Sequence, residues 1–174
     1  MSSFAPLARA LARSGARYIL IGVSGANVHA HRAGIVFGTQ DRDVFLPPDA
    51  DNLLRAWQAC ESCGLELSTG SEPLDRPRDL LLARRIVEAR ARTLATDDSD
   101  LQVDLTLVMT GFVFDDVWSE RTTFRLEGVD VPVARLRHIV VSKAAAGRPK
   151  DQLFLTTHEE ALRELLGPDA SHGP

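Results

Sequence analysis

The segment Leu101-Gln102-Val103-Asp104-Leu105-Thr106-Leu107-Val108 constrains this chain most, because its strict alternation of apolar and polar residues marks a half-buried β-strand. Successive side chains of a strand project to opposite faces, so Asp104 shares a face with Thr106 and stands opposite the apolar set. A carboxylate in the middle of such a strand is costly to bury unless it is paired or bound to a cation. Two readings follow. Either that face points to water, as Thr106 allows, or another strand brings Asp104 charged company.

The neighbouring segments divide into helices and strands. Apolar residues recur at helical spacing over residues 4–14, with Gly15 as a stop. Tyr18-Ile19-Leu20-Ile21 reads as a short buried strand ended by Gly22-Val23-Ser24-Gly25, and residues 26–31 read as a short helix. Asp43-Val44-Phe45-Leu46 is a second strand, closed by Pro47-Pro48. Asp49 or Asp51 can cap a helix that runs to Cys63, with Gly64 as its stop. Residues 68–78 read as a loop, and residues 79–95 mix helical and strand signals so that neither prevails. Residues 111–118 hold a helical turn. Glu127-Gly128 between the runs 122–126 and 129–133 forms a hairpin turn. A helix over 136–146 stops at Gly147, and Pro149 opens a final helix to residue 166. The expectation is one domain over residues 1–166 and a frayed tail over residues 167–174.

With 174 residues, 44% of them hydrophobic, the chain can bury one domain-sized core but not two. Every apolar stretch is broken by Arg, Asp or Gly before it could cross a bilayer. The N-terminal segment carries Arg9 and Arg13 and lacks the apolar core of a secretory signal. A cytoplasmic protein with no membrane partner is expected. Cys60 and Cys63 form a Cys-x-x-Cys, but no second cysteine pair exists and Cys60 ends an apolar-periodic helix. Unbridged thiols, at least one buried, are expected. His29 and His31 at i and i+2 of a helix do not face each other, so they make no metal pair; His138 reads as a helix-surface residue. The net charge of −4 argues against a generic nucleic-acid surface. Charge is uneven, however: Arg135, Arg137, His138, Lys143, Arg148 and Lys150 lie in a stretch without acids, while residues 41–51 are mostly acidic. Such a pairing of clusters suits a metal-bound polyphosphate better than a duplex.

Asp41-Arg42-Asp43 heads the second strand just after a glycine-containing loop. Its two carboxylates share a strand face and repel each other unless a cation lies between them. Mg²⁺, which takes carboxylate, phosphate and water oxygens, is the natural partner, although a solvated pair at a strand end fits the same letters. If the Asp104 strand lies beside theirs, three carboxylates converge. A trio of this kind can hold two metal ions flanking an in-line phosphoryl displacement, and one member can accept the proton of an attacking hydroxyl. Gly22-Val23-Ser24-Gly25, between a strand and a helix, lets phosphate approach backbone N–H groups at a helix start. Lys143, a cation facing the acids, can neutralise charge developing on a transferred phosphoryl group.

The order strand, Gly-x-Ser, helix, Thr39-Gln40-Asp41-Arg42-Asp43, strand, and a lone Asp104 on a later strand resembles the nucleotidyltransferase superfamily. The run Ser142-Lys143-Ala144-Ala145-Ala146-Gly147-Arg148-Pro149-Lys150-Asp151 is similar to the Lys…Gly-Arg-x-Lys-Asp signature of its minimal single-domain members and of AbiEii-type toxins of abortive-infection systems. Together these motifs span residues 18–155. The resemblance implies an α/β (α+β) fold, a nucleotidyltransferase-like mixed β-sheet flanked by helices. It implies an enzyme, dependent on Mg²⁺ or Mn²⁺, that moves a nucleoside monophosphate from an NTP to an acceptor hydroxyl on a protein, a tRNA end or a small molecule. By the same resemblance Asp41, Asp43 and Asp104 bind metal, with Asp104 as general base or third ligand. Gly22 and Ser24 contact the triphosphate, and Lys143 grips the phosphates. Arg148, Lys150 and Asp151 border the nucleotide or pack the last helix on the sheet. A toxin-like role beside a small helical antitoxin-like partner is also implied. Val23 stands where the family usually has a second Gly, and Arg42 where it has an apolar residue. These two positions favour the alternative, a binding module that keeps the fold without turnover.

Overall fold

A computed structural model describes residues 3–39 and 41–167. Its strands are β1 (Ile19–Ile21), β2 (Asp41–Phe45), β3 (Glu66–Thr69), β4 (Glu72–Pro73), β5 (Thr93–Thr96), β6 (Gln102–Thr106), β7 (Thr122–Leu126) and β8 (Val129–Val133). Among the described residues they form one mixed sheet in the order β4-β3-β5-β6-β2-β1-β8-β7. The β2–β6 and β1–β8 pairs are parallel and the rest antiparallel. The helices are α1 (Ala5–Ser14), α2 (Gly22–Ala30), α3 (Ala50–Ser62), α4 (Leu80–Ala89), α5 (Phe114–Glu120), α6 (Leu136–Ala146), α7 (Pro149–Thr157) and α8 (Glu159–Leu166). The expected mixed sheet flanked by helices is therefore the architecture. No helix among the described residues is long and apolar enough to cross a membrane.

Period-two alternation sorts the sheet into two cores. Leu20, Val44, Val103, Leu105 and Val131 point to the side covered by α1 and α3, where Leu7, Leu11, Leu53 and Trp57 are buried. Ile19, Ile21 and Phe45 point to the other side, against Phe37, Phe114 and Ile139. Both cores remove apolar area from water at roughly 25 cal/mol per Å², the main favourable term in folding. On the second face the apolar surface runs out towards the start of β2. Phe45 is buried there, whereas Asp43 and Asp41, two and four residues earlier on the same face, are not apolar at all.

Several expectations hold in detail. Asp49 caps α3 by accepting from the Asn52 N–H at 2.7 Å. The β7–β8 hairpin turns at Glu127 and Gly128, both at positive φ, as a two-residue turn matched to strand twist demands. Cys60 is buried and Cys63 half-buried, and both are free thiols; burial pushes the Cys60 thiol up to about 12.

Other expectations are corrected. The stretch 68–78 is not all loop, since it contains the end of β3 and the edge strand β4, where Pro73 is tolerated because an edge need not donate outward. Residues 79–95 contain both α4, capped by Asp79 accepting from Leu82 N–H, and the start of β5. The short helix expected over 26–31 begins at Gly22, directly after β1. The final helix breaks at His158, whose ring packs on Phe37 and Phe154 with centroids 4.8 and 5.0 Å away. His138 is buried under Phe112 rather than on a helix surface, because α6 turns that side towards the second core. Of the expected tail, residues 168–174 lie outside the described residues.

Candidate active site

Register brings the acids together. β2 and β6 pair in parallel with Asp43 opposite Asp104 and Asp41 opposite Gln102, so all three carboxylates stand on one sheet face. They occupy the central strands β2 and β6. β1 runs antiparallel to β2 and places Ile21 opposite Asp43, so the start of α2 arrives beside the acids.

Gly22 makes that approach sterically possible. It sits at φ +63, and any Cβ there would overlap the Asp43 carboxylate. Gly25 lets α2 close on Leu20 and Ile139. The first turn of α2 has no side-chain cap, so the N–H groups at its start lack an internal partner.

Asp41, Asp43 and Asp104 line a cavity of about 800 Å³ with Gly22, Val23 and Thr106 on the sheet side. Lys143, Arg148, Lys150 and Asp151 line it from α6 and α7. Burial pushes the Asp43 carboxyl up, and neighbouring Asp104 and Asp41 push it further, against Lys143 and Lys150. Asp104 is only 6% exposed, and burial raises it too, with Arg92 opposing. Its Oδ1 is buried and has no hydrogen-bond donor. The water-facing reading of Asp104 is thereby excluded.

The other residues singled out from sequence divide. Lys143 does line the cavity, but its Nζ is held by Asp151 Oδ1 at 2.9 Å and lies 5.0 Å from the Phe154 ring centroid. Arg148 Nε donates to Asp151 Oδ2 at 2.6 Å. Asp151 is thus a fully buried clamp between the end of α6 and the start of α7. Lys150 lines the cavity and lowers both Asp43 and Asp104 by its charge. Ser24, expected at the triphosphate, is buried and does not line the cavity. Its hydroxyl donates to the Ile21 carbonyl at 3.0 Å and accepts from the Asp43 N–H at 3.3 Å. Ser24 thus ties β1, α2 and β2 together and leaves only backbone for a phosphate. Arg42 alternates away from the carboxylates, opposite Val103, and its guanidinium donates to the Asp41 carbonyl.

Arg92 is a charged cavity residue that the sequence left unmarked. It lies between α4 and β5, in the stretch with mixed signals, and only the β5–β6 register reveals it. That register pairs Leu94 with Asp104 and so puts Arg92 on the carboxylate face.

The donor set suits a hard divalent cation. Among the described residues, Asp41, Asp43 and Asp104 included, no group of three or more His, Cys, Asp or Glu side chains is placed to hold a metal ion. Mg²⁺ does not require one, because it is commonly held by one or two carboxylates with waters and substrate phosphates completing the octahedron. Asp104 Oδ1 lacks a hydrogen-bond donor, with Arg92 Nε 3.5 Å away, and burial with the neighbouring acids raises Asp43. No protein-family model matches the chain, and no curated protein matches it.

Proposed function

We propose that the chain is a cytoplasmic, divalent-metal-dependent nucleotidyltransferase that moves a nucleoside monophosphate from an NTP to an acceptor hydroxyl, releasing pyrophosphate. The parallel register of Asp43 with Asp104, beside the uncapped start of α2, carries this reading. Asp41, Asp43 and Asp104 would hold Mg²⁺ or Mn²⁺. Bound there, the metal supplies Lewis-acid stabilisation of charge on the phosphoryl oxygens.

The chain's own groups supply the rest. Backbone N–H groups at Gly22 and Val23 offer phosphate a helix N-terminus, where the macrodipole favours an anion. Lys150 adds a full positive charge on the facing wall. Lys150, Leu153, Phe154 and Thr157 fall at i, i+3, i+4 and i+7, so one face of α7 lines the cavity from a charged end to an apolar one. Thr157 lies about 10 Å along the axis from Lys150. Phosphates at the carboxylate end and the base along Leu153 and Thr157 match that gradient. Asp104, where it does not ligate the metal, would accept the acceptor hydroxyl's proton. The acceptor class, protein, tRNA end or small molecule, and a small helical antitoxin-like partner rest on the motif resemblance alone.

Thermal melting tests the metal and nucleotide together. Mg²⁺ or Mn²⁺ should raise the melting temperature, and an NTP should raise it further, since ligands of the native state stabilise by mass action. Asp43→Asn should abolish the metal gain. A wild type that ignores both metal and every NTP sinks the proposal. Incubation with each labelled NTP and cell lysate then reports the acceptor.

One observation favours a second reading, a binding module without turnover. Arg92 already places a cation 3.5 Å from Asp104 Oδ1, so an NTP could be held by built-in charge alone. Calorimetry of ATP with and without Mg²⁺ separates the two: the module binds without metal, the enzyme does not.

A further inference from the structure

Arg92 Nε lies 3.5 Å from Asp104 Oδ1, the buried oxygen that has no hydrogen-bond donor. This is an ion pair without a hydrogen bond, and the Arg92 side chain is 62% exposed, so little packing fixes it. The other cavity cations are placed differently. Lys143 and Arg148 are both committed to Asp151. Lys150 acts on Asp43 and Asp104 through its charge. Among the described residues, Arg92 is the cavity cation in ion-pair contact with the carboxylate trio, a pair with one exposed arm and one buried carboxylate.

We propose that Arg92 is a displaceable counter-ion that pairs with Asp104 in the metal-free protein and passes to the substrate's phosphate oxygens when a divalent cation takes Asp104. The inference rests on the reading of this cavity as a metal and NTP site. A cation bound to Oδ1 and a guanidinium beside it repel, so arrival of the metal frees the arm. The freed guanidinium presents a planar fork of N–H donors that matches phosphate oxygens, in a cavity it already lines. Arg92 therefore acts with opposite signs on two equilibria. It competes with the bare metal and assists the metal–triphosphate complex. A residue with a merely structural role would shift both the same way or neither.

Titration with Mn²⁺ followed by electron paramagnetic resonance, first alone and then with inorganic tripolyphosphate, reads both equilibria without turnover. Because Arg92 is exposed, its variants keep the fold. Arg92→Gln should bind Mn²⁺ alone more tightly, on the order of fivefold, yet bind Mn²⁺–tripolyphosphate more weakly, on the order of tenfold. Arg92→Lys, which keeps the charge and loses the fork, should leave Mn²⁺ affinity near wild type and lose part of the tripolyphosphate affinity. If wild type binds Mn²⁺ and Arg92→Gln binds it equally or less tightly, the counter-ion role is overturned. If Arg92→Gln binds tripolyphosphate as well as wild type, the handover is overturned. A wild type that takes up no Mn²⁺ with or without tripolyphosphate overturns the proposed function itself, and this inference with it.

Discussion

Asp151 and Asp104 are both buried carboxylates on the wall of one cavity, yet the fold treats them in opposite ways. Burial works against ionisation of Asp151, but hydrogen bonds from Arg148 and Lys143 outweigh it and hold the carboxyl below its usual range. Asp104, with Asp43 opposite it, is pushed upwards by burial, and the nearest cation only partly compensates. The first site sets two cations against one carboxylate and fastens α7 to α6. The second keeps a surplus of negative charge that the chain does not satisfy internally. Asp151 is the carboxylate matched by donors, and Asp43 and Asp104 are those that, under the proposed function, would receive a cation.

The largest expected effect is at the satisfied site. Asp151→Asn leaves two cations without their partner and should destabilise the protein by about 3 kcal/mol, read by chemical denaturation. Because the folded-state pKa of Asp151 is depressed, its contribution is present above the unfolded value of about 3.9 and is lost as pH falls through the folded one. The gap between wild type and variant should accordingly close in acid. Equal stability at pH 7 would break the comparison. Lys143→Ala removes one of the two donors to the same carboxylate, so its effect on NTP binding has to be read against an equally destabilised control.

Next in size is Gly22→Ala. The new Cβ would overlap Asp43 in a backbone conformation that L-residues disfavour, at a cost of about 2 kcal/mol. The variant should also lose the metal-dependent rise in melting temperature, because Asp43 must move; unchanged metal response would show that Asp43 is not held as described.

Asp43→Asn should act with the opposite sign to Asp151→Asn. Without metal it should be as stable as wild type at pH 7 or slightly more so. The raised folded-state pKa of Asp43 means the unfolded chain ionises first, so wild-type stability is lost as pH rises from about 4 through the folded value. The variant's relative advantage should grow over that window. A clear loss of stability in metal-free Asp43→Asn would place Asp43 with Asp151 as a structural anchor.

The smallest effect concerns two histidines outside both sites. Burial lowers His29, whose Nε2 donates to the Ala134 carbonyl at 2.8 Å, and His138. The unfolded chain takes up protons first as pH drops below about 6.5, so stability should decline mildly from pH 7 to pH 5.5. His138→Gln should make that decline shallower in thermal melts, and an identical slope would remove His138 from the account.

The sequence by itself determined whatever depends on near neighbours. Alternation marked the β6 strand and put Asp41 with Asp43 on one face, a capping Asp49 began α3, and Glu127-Gly128 turned the β7–β8 hairpin. These are one-element properties set by backbone period and local hydrogen bonds. Tertiary structure alone decided which strand lies beside β2, and with it whether Asp104 meets Asp43 or water. It also decided that the Ser24 hydroxyl serves the backbone, that Lys143 is held by Asp151, that His138 is inside, and that Arg92 reaches the acids. Each of those facts is a contact between segments distant in the chain. A side chain's charge and hydrogen-bonding capacity can be read from its letter, but what satisfies them is settled only when the sheet closes around it.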